Sequence, residues 1–251
     1  MEWTLERRRD ACVRAPLGDA FVRADTEVIA RPGWYELVTP SAPGSMLNEI
    51  LLSSLTADDA EPAIDAALAR HPGGLKWYVG PWSSPEDLGA RLARRGFEAE
   101  AVRGMGAETS LVVAPSAGVS IEPVTAETVS TFVEVASRGW GMPAEQRDLE
   151  IAFHHRALAR GVRLHLARID GEPVGTAGMV VKEGHGYLVG TQVLASARRR
   201  GVYRALVAAR LAELRDLGAA HAFTHASADT SAPLLAKLGF ETLFASCCWF
   251  R

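Results

Sequence analysis

Apolar and polar residues recur with two different periods along this chain, and the switches between them mark out its elements. In the second half, residues 120–124 read as a short strand. Thr125 then stands where it can N-cap a helix whose apolar stripe is Val129, Phe132, Val133 and Ala136. Residues 139–143 interrupt that stripe, and a second helix is expected over 145–160, stopped by Gly161. Period two takes over next: Val162, Leu164, Leu166 and Ile169 alternate, with one slip, with Arg163, His165 and Arg168, and Asp170-Gly171 is a hairpin signal. Strands at 174–181 and 187–194 complete an antiparallel meander. At Gly201 the helical period returns, with Val202, Ala205, Leu206, Ala209, Leu211 and Leu214 in one stripe ending at Gly218. A strand at 219–226, a short helix at 231–238 and a final strand or hairpin at 240–250 follow. The order β-α-α-β-β-β-α-β-α-β is that of a mixed α/β layer domain.

The first half repeats most of this order. Strands are expected at 26–30, 34–38 and 46–52, separated by turns at Arg31-Pro32-Gly33 and at 40–44. They are followed by a helix over 58–70, a strand at 75–79, a helix over 85–95 and a strand from Phe97 onward. A local echo accompanies the repeat. LARRGF ends at Phe97 and LAKLGF ends at Phe240, each a short helix stopped by a glycine that can take the left-handed conformation, with a Phe opening the next strand. A common helix-stop pattern arising twice is the plainer explanation, but the match of several successive elements favours a true repeat. Two domains are therefore expected, 1–118 and 119–251.

Composition narrows the class. The 251 residues are 48% hydrophobic and 23% charged, enough apolar content to bury a core and too much for a disordered chain. No run reaches the roughly 18 apolar residues of a membrane span, and the N-terminal MEWTLERRRD lacks an apolar signal core, so a cytoplasmic protein is expected. The formal net charge of −3 argues against bulk nucleic-acid binding. It hides an asymmetry, however: residues 1–118 carry 12 basic and 17 acidic side chains, and the remainder 15 basic and 13 acidic. Cys12, Cys247 and Cys248 suit neither a normal disulfide nor a zinc knuckle and read as buried, inert thiols.

The most informative segment is TQVLASARRRGVYRAL, residues 191–206. A strand ends near Leu194, a basic loop leads to Gly201, and a helix starts at once. A helix N-terminus exposes unpaired N–H groups and the positive end of its dipole, Gly201 allows close backbone approach, and the arginines add positive potential, so the segment suits phosphate. The plainer alternative is a solvated arginine loop before an ordinary helix.

Arg198-Arg199-Arg200-Gly201-Val202-Tyr203 resembles the acyl-CoA pyrophosphate loop of the GNAT superfamily of N-acetyltransferases, whose pattern is Gln or Arg, two residues, Gly, one residue, then Gly or Ala. Tyr203 replaces the final small residue. The resemblance covers 119–251 in sequence and 20–115 in architecture only. It implies tandem GNAT-like domains, each a mixed, mostly antiparallel twisted sheet flanked by helices. It also implies acetyl-CoA as cosubstrate, with backbone of Val193, Leu194 and Ala195 pairing with the pantetheine arm. Arg198 and the backbone from Arg199 to Arg204 would hold the pyrophosphate, and the Val193 amide would face the thioester carbonyl. The implied activity is acyl transfer to a primary amine, on a small molecule or a peptide, by direct attack in a ternary complex. The partners expected are that amine and no nucleic acid or membrane, with the protein a monomer or homodimer.

The family's usual acid is a tyrosine four residues before the glycine of the Gly-Phe pair, and here that position is Leu235. His225, Asp229 and Ser231 are the nearby candidates for proton handling. His225 is the preferred one because a neutral imidazole can take an amine proton, against the plainer reading of a polar residue at a strand end. Gly184-His185-Gly186 with Gly190 mimics a dinucleotide fingerprint but lies in a hairpin, and His221 with His225 on one strand stand roughly 13 Å apart, so no metal is expected. Between the third strand and the helix of the first half, Ser53 to Asp59 is acidic and has no glycine, the mark of a degenerate repeat. Trp77, Trp82 and Trp140 read as core residues before pocket walls. Leu235 keeps open a non-catalytic acyl-CoA-binding regulatory module, and a ligand-free oligomerising scaffold is the third reading.

Overall fold

The computed structural model describes residues 2–42, 44 and 47–251. The chain opens with a helix the hydrophobic pattern does not show, α1 (Leu5–Arg14), capped by the Thr4 hydroxyl, which accepts from the Arg7 N–H at 3.3 Å. Then come β1 (Glu27–Arg31), β2 (Trp34–Val38), β3 (Glu49–Ser53), α2 (Ala57–Arg70), β4 (Lys76–Val79), α3 (Leu88–Arg94) and β5 (Glu98–Glu108). The start of the strand expected at 46–52 lies outside the described residues. The second run is β6 (Val119–Pro123), α4 (Val129–Trp140), a 3-10 turn (Ala144–Gln146), α5 (Arg147–Ala159), β7 (Arg163–Ile169), β8 (Glu172–Lys182) and β9 (His185–Val193). A 3-10 turn (Ala195–Ala197), α6 (Val202–Asp216), β10 (His221–Ser227), α7 (Ser231–Lys237) and β11 (Glu241–Phe250) complete it. The expected mixed α/β architecture is present, and β1-β2-β3-α2-β4-α3-β5 repeats as β7-β8-β9-α6-β10-α7-β11.

Local chemistry accounts for most boundaries. Asp170 (φ 51°) with Gly171 (φ 82°), and Glu183 (φ 37°) with Gly184 (φ 77°), make the two-residue hairpins of the meander, where both central residues need positive φ. The residue that caps α4 is Thr128 rather than Thr125. Its hydroxyl accepts from the Thr125 N–H at 2.9 Å, so a polar turn precedes the helix and delays its start. The two echoed helices end as expected: Gly96 and Gly239 have φ of 82° and 102°, and Phe97 and Phe240 are buried after them.

The chain forms two compact units. One comprises Met1–Met105, His225–Ala236 and Thr242–Arg251. In it β1, β2 and β3 form an antiparallel meander, β3 and β4 run parallel through the α2 crossover, and β11 pairs antiparallel with β4, Cys248 opposite Tyr78. Its core holds Trp34, Ile50, Ile64, Leu75, Trp77 and Leu88. Beneath α2 lies Glu36, fully buried, accepting from Trp34 Nε1 (2.9 Å), from Arg70 through two nitrogens (2.9 and 2.8 Å) and from His71 Nε2 (2.9 Å). Burial alone would raise its pKa. The donated hydrogen bonds overcome that and hold the carboxyl at about 2. Cys12 and Cys248 are buried, and burial pushes the Cys248 thiol up to about 12.

The other unit comprises Gly106–Thr224 and Lys237–Glu241. Its sheet runs β6-β7-β8-β9-β10, antiparallel except for the parallel β9–β10 pair that α6 connects. Val202 and Leu206 of α6 pack into a cluster with Ala167, Ile169, Val174 and Ala177 of the sheet. The last helix and strand of the chain thus contribute mainly to the unit that holds its N-terminus.

Candidate functional site

The site is built where β9 leaves its neighbour. β9 pairs with β10 only over three residues, His185 to Tyr187 against His221 to Phe223, and the Thr224 hydroxyl donates to the Leu188 carbonyl at 2.8 Å. On its other edge β9 stays paired with β8. Between Thr176↔Gln192 and Gly178↔Val189, however, it carries one residue more than its partner, and Gly190 takes φ 61° there. Such a bulge bends the strand. Beyond it, among the described residues of this unit, β9 has no strand along its β10 edge, so an extended ligand can add there by backbone hydrogen bonds. The Leu194 N–H is not available to it, being donated to Val174 at 2.9 Å. The Val193 N–H is held only by the side-chain oxygen of Gln192, at 3.2 Å.

The loop that follows is shaped for an anion. Arg198 is extended (φ −63°, ψ 152°), and Arg199 (φ 64°) and Gly201 (φ 81°) are left-handed with Arg200 between them, an alternation that turns successive N–H groups toward one concavity. A non-glycine residue held left-handed costs roughly 1–2 kcal/mol. Gly201 caps α6 without a side chain, the first turn of α6 has no acidic residue, and its first helical bond is Ala205 N–H to Gly201 at 3.0 Å. The N–H groups of Val202, Tyr203 and Arg204 therefore point off the positive end of the helix. Arg198, Arg199, Arg200 and Arg204 are exposed around them. Arg200 lies 3.9 Å from Asp170, both exposed, a contact too weak to hold it.

One residue outside the motif fixes the loop from beneath. The Ser116 hydroxyl donates to the Gly201 carbonyl at 2.9 Å, and a Cβ on Gly201 would stand 2.5 Å from that hydroxyl oxygen. Gly201 is thus required twice, by its φ and by Ser116. Tyr203, at the position of the motif's small residue, is half-buried. Burial raises its pKa, with the charge of Arg210 acting the other way. Arg210 itself is fully buried, donates to Leu206 (3.0 Å) and Gly178 (3.2 Å), and is brought down to about 10 by burial.

Val193, Leu194, Ala195 and residues 198–204 are brought together as one continuous strand end, loop and helix start. His225 belongs to the other compact unit. Its Nε2–H donates to the Cys12 carbonyl at 3.0 Å, its ring stands edge-on to Phe244 and near Tyr78, each at 5.7 Å, and burial lowers its pKa to about 4. Asp229 is exposed, Ser231 opens α7, and Leu235 is buried. Trp77 is a core residue whose Nε1–H donates to Ser53 at 2.9 Å, Trp82 packs against Phe244, and Trp140 is half exposed at the end of α4.

The corresponding place in the first unit is closed. Thr56 accepts from the Asp59 N–H at 3.2 Å at the start of α2, and Asp58 and Asp59 lie in its first turn. Beyond the short β3–β4 pairing, Ser84 donates its N–H to Ser53 at 3.2 Å and accepts from the Leu55 N–H at 3.1 Å. The chain itself thus fills the strand edge.

Residues 129–240 match the family model of the Acetyltransferase (GNAT) family. A conserved protein of unknown function from Staphylococcus epidermidis superposes with a TM-score of 0.70 at 13% identity, over 94% of this chain and 98% of that one. A GCN5-related N-acetyltransferase from Kribbella flavida gives 0.61 at 18% identity, over 98% and 93%. A tandem GNAT protein from the clavulanic acid biosynthesis pathway gives 0.61 at 16%, over 99% and 94%. At these identities the structures establish the fold alone, a mixed α/β architecture shared with a tandem GNAT protein. No curated protein matches in sequence.

Proposed function

We propose that the second half of this chain, 119–251, transfers an acyl group, most simply acetyl, from acetyl-CoA to a primary amine while both substrates are bound, and that 1–118 is a degenerate GNAT-like scaffold. The observation that carries the reading is the alternating loop from Arg198 to Gly201 running into an acid-free helix start beside an open edge of β9. These residues fit a pyrophosphate: converging N–H groups and exposed guanidiniums for its charge, and a strand edge for the two amides of its arm. The acyl thioester supplies the activated carbonyl and a thiolate leaving group. Once freed of Gln192, the Val193 N–H would stabilise charge on the carbonyl oxygen, Ala195 would offer further backbone to the arm, and the side chains of Arg198 to Arg200 and Arg204 would hold the phosphates. Catalysis by positioning and backbone electrostatics needs no nucleophilic side chain.

His225 is the proposed acceptor of the amine proton. Donation from Nε2 to Cys12 puts the lone pair on Nδ1, and a pKa of about 4 keeps the ring neutral but weakly basic at pH 7. That weak basicity, with apolar Leu235 where the family has its acid, is what favours the second reading, a non-catalytic acyl-CoA-binding regulatory module. A cytoplasmic monomer or homodimer is the accompanying proposal. The test is a thiol-release assay with acetyl-CoA across a panel of small-molecule and peptide amines, alongside thermal melting. Thiol release with one amine class is expected, together with a rise in Tm on adding acetyl-CoA. A rise in Tm without release for any amine supports the regulatory module, and no rise contradicts both.

A further inference from the structure

One side chain holds both the backbone donor at the end of β9 and the end of a helix. The Gln192 carboxamide accepts the Val193 N–H through Oε1 at 3.2 Å and donates through Nε2 to the Gly139 carbonyl. The two contacts fix which end of the amide faces which group. Gly139 lies in the last turn of α4, where carbonyls have no intrahelical partner and the helix dipole is negative, so a donor there is favoured. Gly139 also has no room for a Cβ, because Gln192 occupies the space. The α4 corner continues through the half-exposed Trp140 and through Gly141 (φ 67°), so the Gln192 carboxamide ties this corner to the Val193 donor.

We propose that Gln192 is a gate on the acyl-carbonyl donor: its side chain occupies the Val193 N–H while anchored to Gly139, and must swing off Val193 before a thioester oxygen can be held there. The inference rests on the acyl-CoA reading of the site. An i to i−1 side-chain bond of 3.2 Å is at the long end of the normal range and can be displaced, whereas the anchor to Gly139 keeps the freed carboxamide at the end of α4. Movement of the α4 corner would release the donor, so Gln192 is a positioning residue that ties the position of this corner to charge stabilisation on the acyl group.

Two variants of the full chain test this. Gln192→Ala removes the competitor, and Gly139→Ala displaces it without a substitution in β9. The second change also replaces glycine in a helix with a better helix former. In calorimetric titrations both are expected to bind acetyl-CoA about fivefold more tightly than the wild type, the ratio set by one hydrogen bond of ordinary net strength. Affinity for CoA, which has no acyl carbonyl, stays unchanged. Amide exchange at Val193, read by NMR without any added ligand, speeds up in both variants. Equal shifts for acetyl-CoA and CoA, no shift, or unaltered Val193 exchange would overturn the gate while leaving the cofactor reading intact. Failure of the wild type to bind either ligand overturns the cofactor reading, and the gate falls with it.

Discussion

β3 passes through α2 into the parallel strand β4, and β9 passes through α6 into the parallel strand β10, so the two crossovers share a connectivity. They differ in what stands at the turn into the helix. The first has three residues between strand and helix, a threonine cap, two aspartates in the opening turn, and a strand edge filled by Ser84. The second has eight, a bare glycine cap, no acid, two left-handed residues and an edge without a strand partner in its unit. A carboxylate at a helix N-terminus neutralises the end of the dipole that would attract an anion, and a threonine cap takes one of the donors. The fold supplies a crossover, and the residues at the turn decide whether it is a binding site or a helix start.

That contrast breaks most sharply at Gly201. Gly201→Glu puts a Cβ against Ser116, a side chain at positive φ and a carboxylate at the anion site, and is expected to weaken acetyl-CoA binding about a hundredfold or more, roughly 3 kcal/mol, abolishing the rise in Tm. Next comes Glu36→Gln in the first unit. Removing the charge leaves Arg70 and His71 around a neutral amide, which costs about 3 kcal/mol of stability by chemical denaturation with little change in acetyl-CoA affinity. A parallel loss of affinity would mean that the first unit shares in binding.

A smaller effect is expected from His225. Its folded pKa of about 4 lies below the ordinary 6.5, so in acid the unfolded chain binds the proton first, and stability declines as pH falls from about 6.5 to 4. His225→Gln removes that contribution and flattens the pH dependence of urea unfolding in this window. As the proposed base it also lowers turnover without changing acetyl-CoA affinity, and unchanged turnover would leave the residue a packing role only. The least change is expected from Arg199→Gly. Relief of the left-handed strain stabilises the protein by about 1 kcal/mol, while loss of one charge weakens acetyl-CoA binding a few-fold, more at low salt.

Most of the elements were legible because their signals are local. The Asp170-Gly171 turn, the α6 stripe and the glycine stops at Gly96 and Gly239 depend on residues within a few positions of one another. The cofactor loop was legible for the same reason, being one continuous segment. α1 was hidden because LERRRDACVR buries only Cys12 and so has no apolar stripe. The attachment of β11 to β4 was hidden because a strand's alternation fixes which face is buried and not which strand lies beside it. Ser116, Gln192 and Ser84 meet their partners 85, 53 and about 30 residues away, and no short pattern encodes such contacts.

The asymmetry of the two crossovers is the central claim, and its most direct test is the stoichiometry of acetyl-CoA binding to the full chain by calorimetry. One molecule per chain, lost in Gly201→Glu and retained in Glu36→Gln, is the predicted result. Two molecules per chain, or one that survives Gly201→Glu, would contradict it.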